Sequence, residues 1–152
     1  RDGVTCLAFP QNIGNHPVEI LESRYPVRIR RFEIRQDSAG AGEFRGGFGS
    51  VKDYELLAEV DLQVPGDRVK LPPFGLMGGG PALTTEYVRV NAAGEEMLRT
   101  KRAYVLAAGD TLSVRTSGGG GLGDPAARDR EAVERDLRLG YPSAAASRDV
   151  YG

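Results

Sequence analysis

The sequence predicts an α+β domain that is predominantly β, built from short antiparallel strands, Gly-rich loops and one or two C-terminal helices. Three observations carry this. Glycine supplies 21 and proline 9 of the 152 residues, and in a helix interior they cost roughly 1 and 3 kcal/mol apiece. Apolar residues alternate over short runs broken by turn formers, the signature of half-buried strands. Only after residue 125 does the pattern become charged and helical, so a division into a β-rich domain at 1–125 and a helical tail at 126–152 is expected.

The elements follow in order. Residues 1–22 lack periodicity and carry Asn12, Gly14, Asn15 and Pro17, which predicts a loop, with a short helical turn over Pro17–Arg24 and Pro17 at its first position. Val27–Arg35 is the clearest strand, and its apolar phase changes side near Arg31, as at a bulge. Asp37–Gly49 is a glycine loop, and Ser50–Ala58 and Val60–Val64 are strands. Leu71–Pro81 holds too many prolines and glycines for a regular element. Thr84–Val90 is a strand, followed by a turn over Asn91–Glu95. Ala103–Ala107 and Thr111–Thr116 look like the arms of a hairpin with Ala108-Gly109-Asp110 at its tip. The glycine run Ser117–Asp124 closes the β-rich part. Arg128–Leu139 reads as a helix with Val133 and Leu137 as a thin apolar stripe, capped by Asp124 or Asp129 and ended by Gly140. A second short helix opens at Pro142–Ala146 and ends near Tyr151.

Composition excludes several classes of function. Twenty basic residues nearly balance twenty-one acidic ones, so the chain offers no electrostatic footprint for nucleic acid or an anionic membrane. No apolar run approaches the ~20 residues that span a bilayer. Cys6 is the only cysteine and His16 the only histidine, which rules out an internal disulfide and a self-contained four-ligand zinc site. A lone thiol fits a reducing, cytoplasmic setting. The chain opens on Arg1, with no signal-peptide apolar region after it, and so reads as a fragment or a cleaved product.

The candidate site residues are few. Backbone amides of glycine loops can cradle phosphates, yet no run here carries the lysine and hydroxyl residue of a phosphate-binding loop. Close backbone packing is the plainer use of these glycines. Arg45, between Gly42 and Gly46, can hold an anion by its planar fork, or form a structural ion pair. His16 is the sole imidazole, the side-chain type most often used as a general base. Beside Asn15, and with Glu19 three residues on, it is a candidate general base, a single ligand to a metal shared with another segment, or a hydrogen-bonded loop residue. Arg24, Arg28, Arg30, Arg31 and Arg35 form a local basic patch, suited to an anionic ligand, a subunit contact or a charged strand edge.

The strings Asn15-His16-Pro17-Val18-Glu19-Ile20-Leu21-Glu22, Tyr25-Pro26 and Asp37–Gly47 come first. Pro72–Gly79, Ala108-Gly109-Asp110 and Gly118–Pro125 follow. In this order and spacing they resemble the C-terminal part of the hydantoinase B/oxoprolinase family, whose members are N-methylhydantoinase B-type polypeptides. The resemblance implies an ATP-binding hydantoinase A-type partner and the remainder of the B-type polypeptide as neighbours. It implies phosphorylation of an amide oxygen that drives ring opening of a cyclic amide, since a resonance-stabilised amide is otherwise a poor electrophile. Related acetone and acetophenone carboxylases use the same pair of polypeptides. The resemblance places ATP and Mg in the whole enzyme, leaves a further divalent metal open, and assigns no cofactor to this chain. The match covers the end of a longer polypeptide, without the portion expected to hold the family's metal site. Ala39 stands where the family usually has glycine and puts a Cβ into a tight turn.

Three readings therefore compete: part of a cyclic amide hydrolase, part of a biotin-independent carboxylase, and a structural module joining subunits. His16 and Glu19 are the candidate catalytic residues, Asn15 and Arg45 the candidates for substrate or anion contact, and no residue is taken as a metal ligand.

Overall fold

A computed structural model describes residues 1–5 and 15–152. Cys6, Asn12 and Gly14 lie outside the described residues.

Helix α1 (Val18–Arg24) is flanked by Pro17, which sits at the cap with extended ψ, one position earlier than expected. Strand β1 (Val27–Ile34) pairs antiparallel with β2 (Ser50–Leu56), and the register slips between Ile29 and Arg31. The bulge at Arg30 accounts for the change of apolar phase. Strands β3 (Val60–Val64), β4 (Glu86–Asn91), β5 (Gly94–Met97), β6 (Arg102–Leu106) and β7 (Thr111–Arg115) follow. They form a five-stranded sheet in the order β1-β2-β7-β4-β5 and a two-stranded ribbon of β3 and β6.

The structure corrects one local expectation and extends another. β6 and β7 are not the arms of a hairpin: β6 pairs with β3, while β7 runs between β2 and β4. The turn between them exists, with Gly109 at φ +88°. Its Asp110 accepts hydrogen bonds from Arg89 Nε (2.8 Å) and the Ala107 amide (3.1 Å), which carries the chain from one sheet to the other. Leu106 and Leu112 thereby enter one core from opposite sheets, with Leu56, Val64 and Leu98. The turn expected over Asn91–Glu95 is present at residues 92–93, but it leads into an additional strand, β5, paired with β4. All four residues of β5 are exposed, so no apolar alternation announces the strand.

Helix α2 (Arg130–Arg138) starts at Asp129, whose carboxylate accepts from the Ala132 amide (3.1 Å), and stops at Gly140, in the left-handed region at φ +70°. Asp124 instead caps the short 3₁₀ turn Pro125–Ala127. Helix α3 (Ala144–Tyr151) is capped by Ser143. The buried residue of α2 is Asp136 rather than Leu137, so the inward face of this helix is offset from the expected stripe. The tail is tied to the body by the Asp37 amide, which donates to the Tyr141 carbonyl (3.2 Å), and the Ser143 amide, which donates to the Asp37 carboxylate (2.7 Å).

Three arginines on or just after β1 pair with acids on β2 and β4. Arg30 meets Glu55 (2.7 Å), Arg31 meets Asp53 (2.8 Å), and Arg35 meets Glu86 (2.7 Å). Among the described residues no helix is long and apolar enough to cross a membrane.

Candidate functional site: a glycine layer and its charged latch

The three glycine loops, far apart in sequence, meet in one layer. The Gly40 amide donates to the Gly119 carbonyl (2.9 Å), Gly80 to Ala41 (2.7 Å), Gly121 to Gly80 (3.0 Å), and Leu76 to Gly121 (2.9 Å). Phe44 and Leu122 exchange both backbone hydrogen bonds at 2.9 Å. Each loop thus satisfies its backbone on the next, as buried peptide groups require. At most of these glycines there is no space for a side chain. A Cβ built on Gly121 would stand 1.8 Å from the Ala41 carbonyl oxygen, far inside contact distance.

One face of this layer opens into a cleft of about 740 Å³ whose walls include Asn15, Arg45, Ser50, Thr116 and Ser117. Asn15 and Arg45 therefore share a cleft, whereas His16 and Glu19 do not line it. His16 and Glu19 are exposed at the start of α1. Arg45 is already engaged: its Nε donates to Asp136 Oδ2 (2.7 Å) and its Nη1 to the Gly46 carbonyl (3.1 Å). Its guanidinium carbon lies 4.5 Å from the ring centre of Phe48 and 5.5 Å from that of Tyr141. The ion pair, one of the two roles open to it, is formed, and the same side chain also lines the cleft.

Asp136 also accepts from Arg128 Nη2 (2.8 Å), and Arg128 grips Asp2 with both ends of its fork, at 2.7 and 2.9 Å. Arg128 Nη1 further donates to the Glu43 carbonyl (3.1 Å). Two acids and two arginines thus latch the N-terminus, the first glycine loop and α2 together. Burial works to raise the carboxyl of Asp2, but the hydrogen bonds and charges of Arg128 and Arg45 outweigh it and hold the group below its ordinary range. Of this set only Arg45 stands out in the sequence. Asp2 and Arg128 are 126 positions apart, and the sole local signal is Asp136, a charge three residues after Val133 and so on the same helix face.

A second unforeseen group is Lys52, buried on β2 with its ammonium 4.9 Å from the ring centre of Phe32 and 5.4 Å from that of Tyr54. Desolvation lowers the pKa of this amine. Among the described residues no three His, Cys, Asp or Glu side chains gather as a metal site.

Fold and site together define a β-rich element whose most specialised feature is a packed backbone layer. The Hydantoinase B/oxoprolinase family model matches residues 1–125, and the chain belongs to that family. It is 31% identical over 148 residues to a putative D-/L-hydantoinase polypeptide of the B type from a Pseudomonas strain, covering 93% of this chain and 24% of that one. The crystal structure of an ATP-dependent caprolactamase from Pseudomonas jessenii superposes with a TM-score of 0.82 at 30% identity, over 91% of this chain and 25% of the other. A nucleotide-free acetone carboxylase shares the fold, with a TM-score of 0.83 at 21% identity, over 99% of this chain and 25% of the other. Across these matches the chain spans 8% to 24% of the length of its curated relatives.

Proposed function

We propose that this chain is the C-terminal portion of a hydantoinase B-type polypeptide of an ATP-dependent cyclic amide hydrolase, acting as a rigid support beside the reaction centre. The observation that carries this is the glycine layer. Its backbone groups are spent on one another, and the one cationic side chain among its glycines, Arg45, is committed to Asp136. Such a surface holds shape well and does little proton chemistry. The relatives named as a hydantoinase and a caprolactamase favour the amide class of substrate.

We place no nucleotide or divalent cation in this cleft. Its described walls include Asn15, Arg45, Ser50, Thr116 and Ser117 but no carboxylate to hold the cation. We assign ATP and Mg to an A-type partner, and any further metal to the remainder of the B-type polypeptide. His16 is the side chain of this portion that we assign to the reacting amide, with Asn15 and Glu19 as its polar neighbours.

The test uses the assembly purified from the source cells through an affinity tag. ATP hydrolysis is measured with hydantoin, 5-oxoproline or caprolactam, each with and without bicarbonate. The expected result is hydrolysis that depends on the cyclic amide and not on bicarbonate. Turnover that instead requires a ketone and bicarbonate points to the carboxylase reading. An assembly containing the A-type chain but inert to all these substrates points to a purely structural module. In the active assembly, His16→Ala lowers turnover at least tenfold with composition unchanged, and undiminished turnover removes His16 from the site.

A further inference from the structure

The thirteen residues from Leu71 to Leu83 contain no charged side chain and no hydroxyl group. Five of their large apolar side chains face solvent: Leu71, Phe74 at 71% exposure, Leu76, Met77 at 86%, and Leu83. Leu122, bridged to Leu76 through the backbone, extends the same apolar surface. A monomer rarely leaves such a concentration uncovered.

A mobile apolar loop would collapse onto its own domain, but this one cannot. The Leu76 amide donates to the Gly121 carbonyl (2.9 Å), the Gly123 amide to Leu76 (3.0 Å), and the Ala82 amide to Pro73 (2.9 Å). The Phe74 carbonyl lies hard against Gly120. Met77 is held in the left-handed region at φ +51°, a conformation that persists in a non-glycine residue only where its surroundings impose it. The glycine layer therefore grips the backbone of the loop and holds its side chains outward.

We infer that this loop is a docking surface for the remainder of a hydantoinase B-type polypeptide, an inference that rests on the reading given under Proposed function. The choice of occupant follows from two facts. In the caprolactamase structure this fold accounts for 25% of the chain, so a B-type protein brings a much larger body of polypeptide to pack against it. The loop is also uncharged along its whole length, the character of a permanent contact resembling a divided core rather than of a reversible contact with its polar rim. A preformed apolar ridge costs little ordering entropy when it docks.

The experiment places the photoreactive residue p-benzoylphenylalanine at position 74 in the native assembly, with oxidation of Met77 by dilute peroxide as a second readout. The expected cross-link joins position 74 to a peptide from the rest of the B-type polypeptide. Met77 is expected to oxidise at least tenfold more slowly in the assembly than in guanidinium-unfolded protein, with Met97 on β5 slowed less. A cross-link to the A-type partner, to a second copy of this chain, or to its own residues 6–14 overturns the inference. So does oxidation of Met77 within threefold of the unfolded rate. The same preparation is assayed for amide-dependent ATP hydrolysis. An active assembly with Met77 unprotected defeats the docking surface alone, and an inert one with Met77 protected defeats the hydrolase reading alone.

Discussion

The two halves of the β-rich body are held together in opposite ways. Between the sheet and the ribbon, Leu56, Val64, Leu98, Leu106 and Leu112 fill space with side chains, and stability there scales with apolar area removed from water, about 25 cal/mol per Å². In the glycine layer there are almost no side chains to bury. Cohesion there comes from backbone hydrogen bonds and from carbonyls packed at contact distance against Cα atoms. The core tolerates a change of size because neighbouring side chains can shift. At most of its glycines the layer tolerates none, because what would have to shift is the main chain of a neighbouring loop.

This contrast sets the largest expected effect. Gly121→Ala drives a methyl into the Ala41 carbonyl, at 1.8 Å before relaxation. It should cost at least about 4 kcal/mol, in the range reserved for severe steric defects, and the protein should be found largely unfolded or insoluble. Gly80→Ala, in the same layer, is the control. Its added Cβ meets nothing nearer than the Ala41 amide nitrogen at 3.6 Å, an ordinary contact, and it should change stability by no more than about 1 kcal/mol. Circular dichroism melts of both variants decide the matter: equal losses would mean that the layer yields like a liquid core. Next in size is Leu106→Ala, which removes a side chain only 1% exposed. It should cost about 2–5 kcal/mol and leave a folded protein with a lowered Tm. A loss from Leu106→Ala exceeding that from Gly121→Ala would reverse the ranking.

The same contrast explains what could be read from the sequence. The main-chain character of the layer was legible, since runs such as Gly118–Gly121 fit neither a helix nor a filled strand. The bulge in β1 and the caps at Asp129 and Gly140 were legible too, because each depends on a few adjacent residues. Pairing was not. Nothing local told β6 to join β3 instead of β7, a choice made by the burial of Leu106 and Leu112 from opposite sides and by Arg89 reaching the turn at Asp110. β5 was invisible because Glu95, Glu96 and Met97 alternate nothing. For the site, Arg45 stood out by its place between glycines. Its partner Asp136 lies 91 residues on, and a contact at that range has no periodicity to betray it.

A third kind of cohesion, charge, holds the N-terminus and the tail to the layer, and it gives the smallest and most condition-dependent effect. Asp2 takes both ends of the Arg128 fork and the Arg45 amide (3.1 Å). Its carboxyl is held below the ordinary aspartate value of 3.8 in the folded chain. Above that value the group is ionised in both folded and unfolded chains, and its full contribution to stability is present. As the pH falls below it, the unfolded chain binds the proton first, and the contribution drains away as the pH passes through the lower, folded value. Asp2→Asn should therefore melt below the native chain by a constant margin from pH 7 to about pH 5. That margin should shrink as acid is added below the ordinary aspartate value. Tm measured at intervals from about pH 7 to about pH 2.5 for both proteins tests this. A margin that holds steady into strong acid would mean that Asp2 contributes by shape and hydrogen-bond geometry alone, and the latch would then belong with the uncharged packing of the glycine layer.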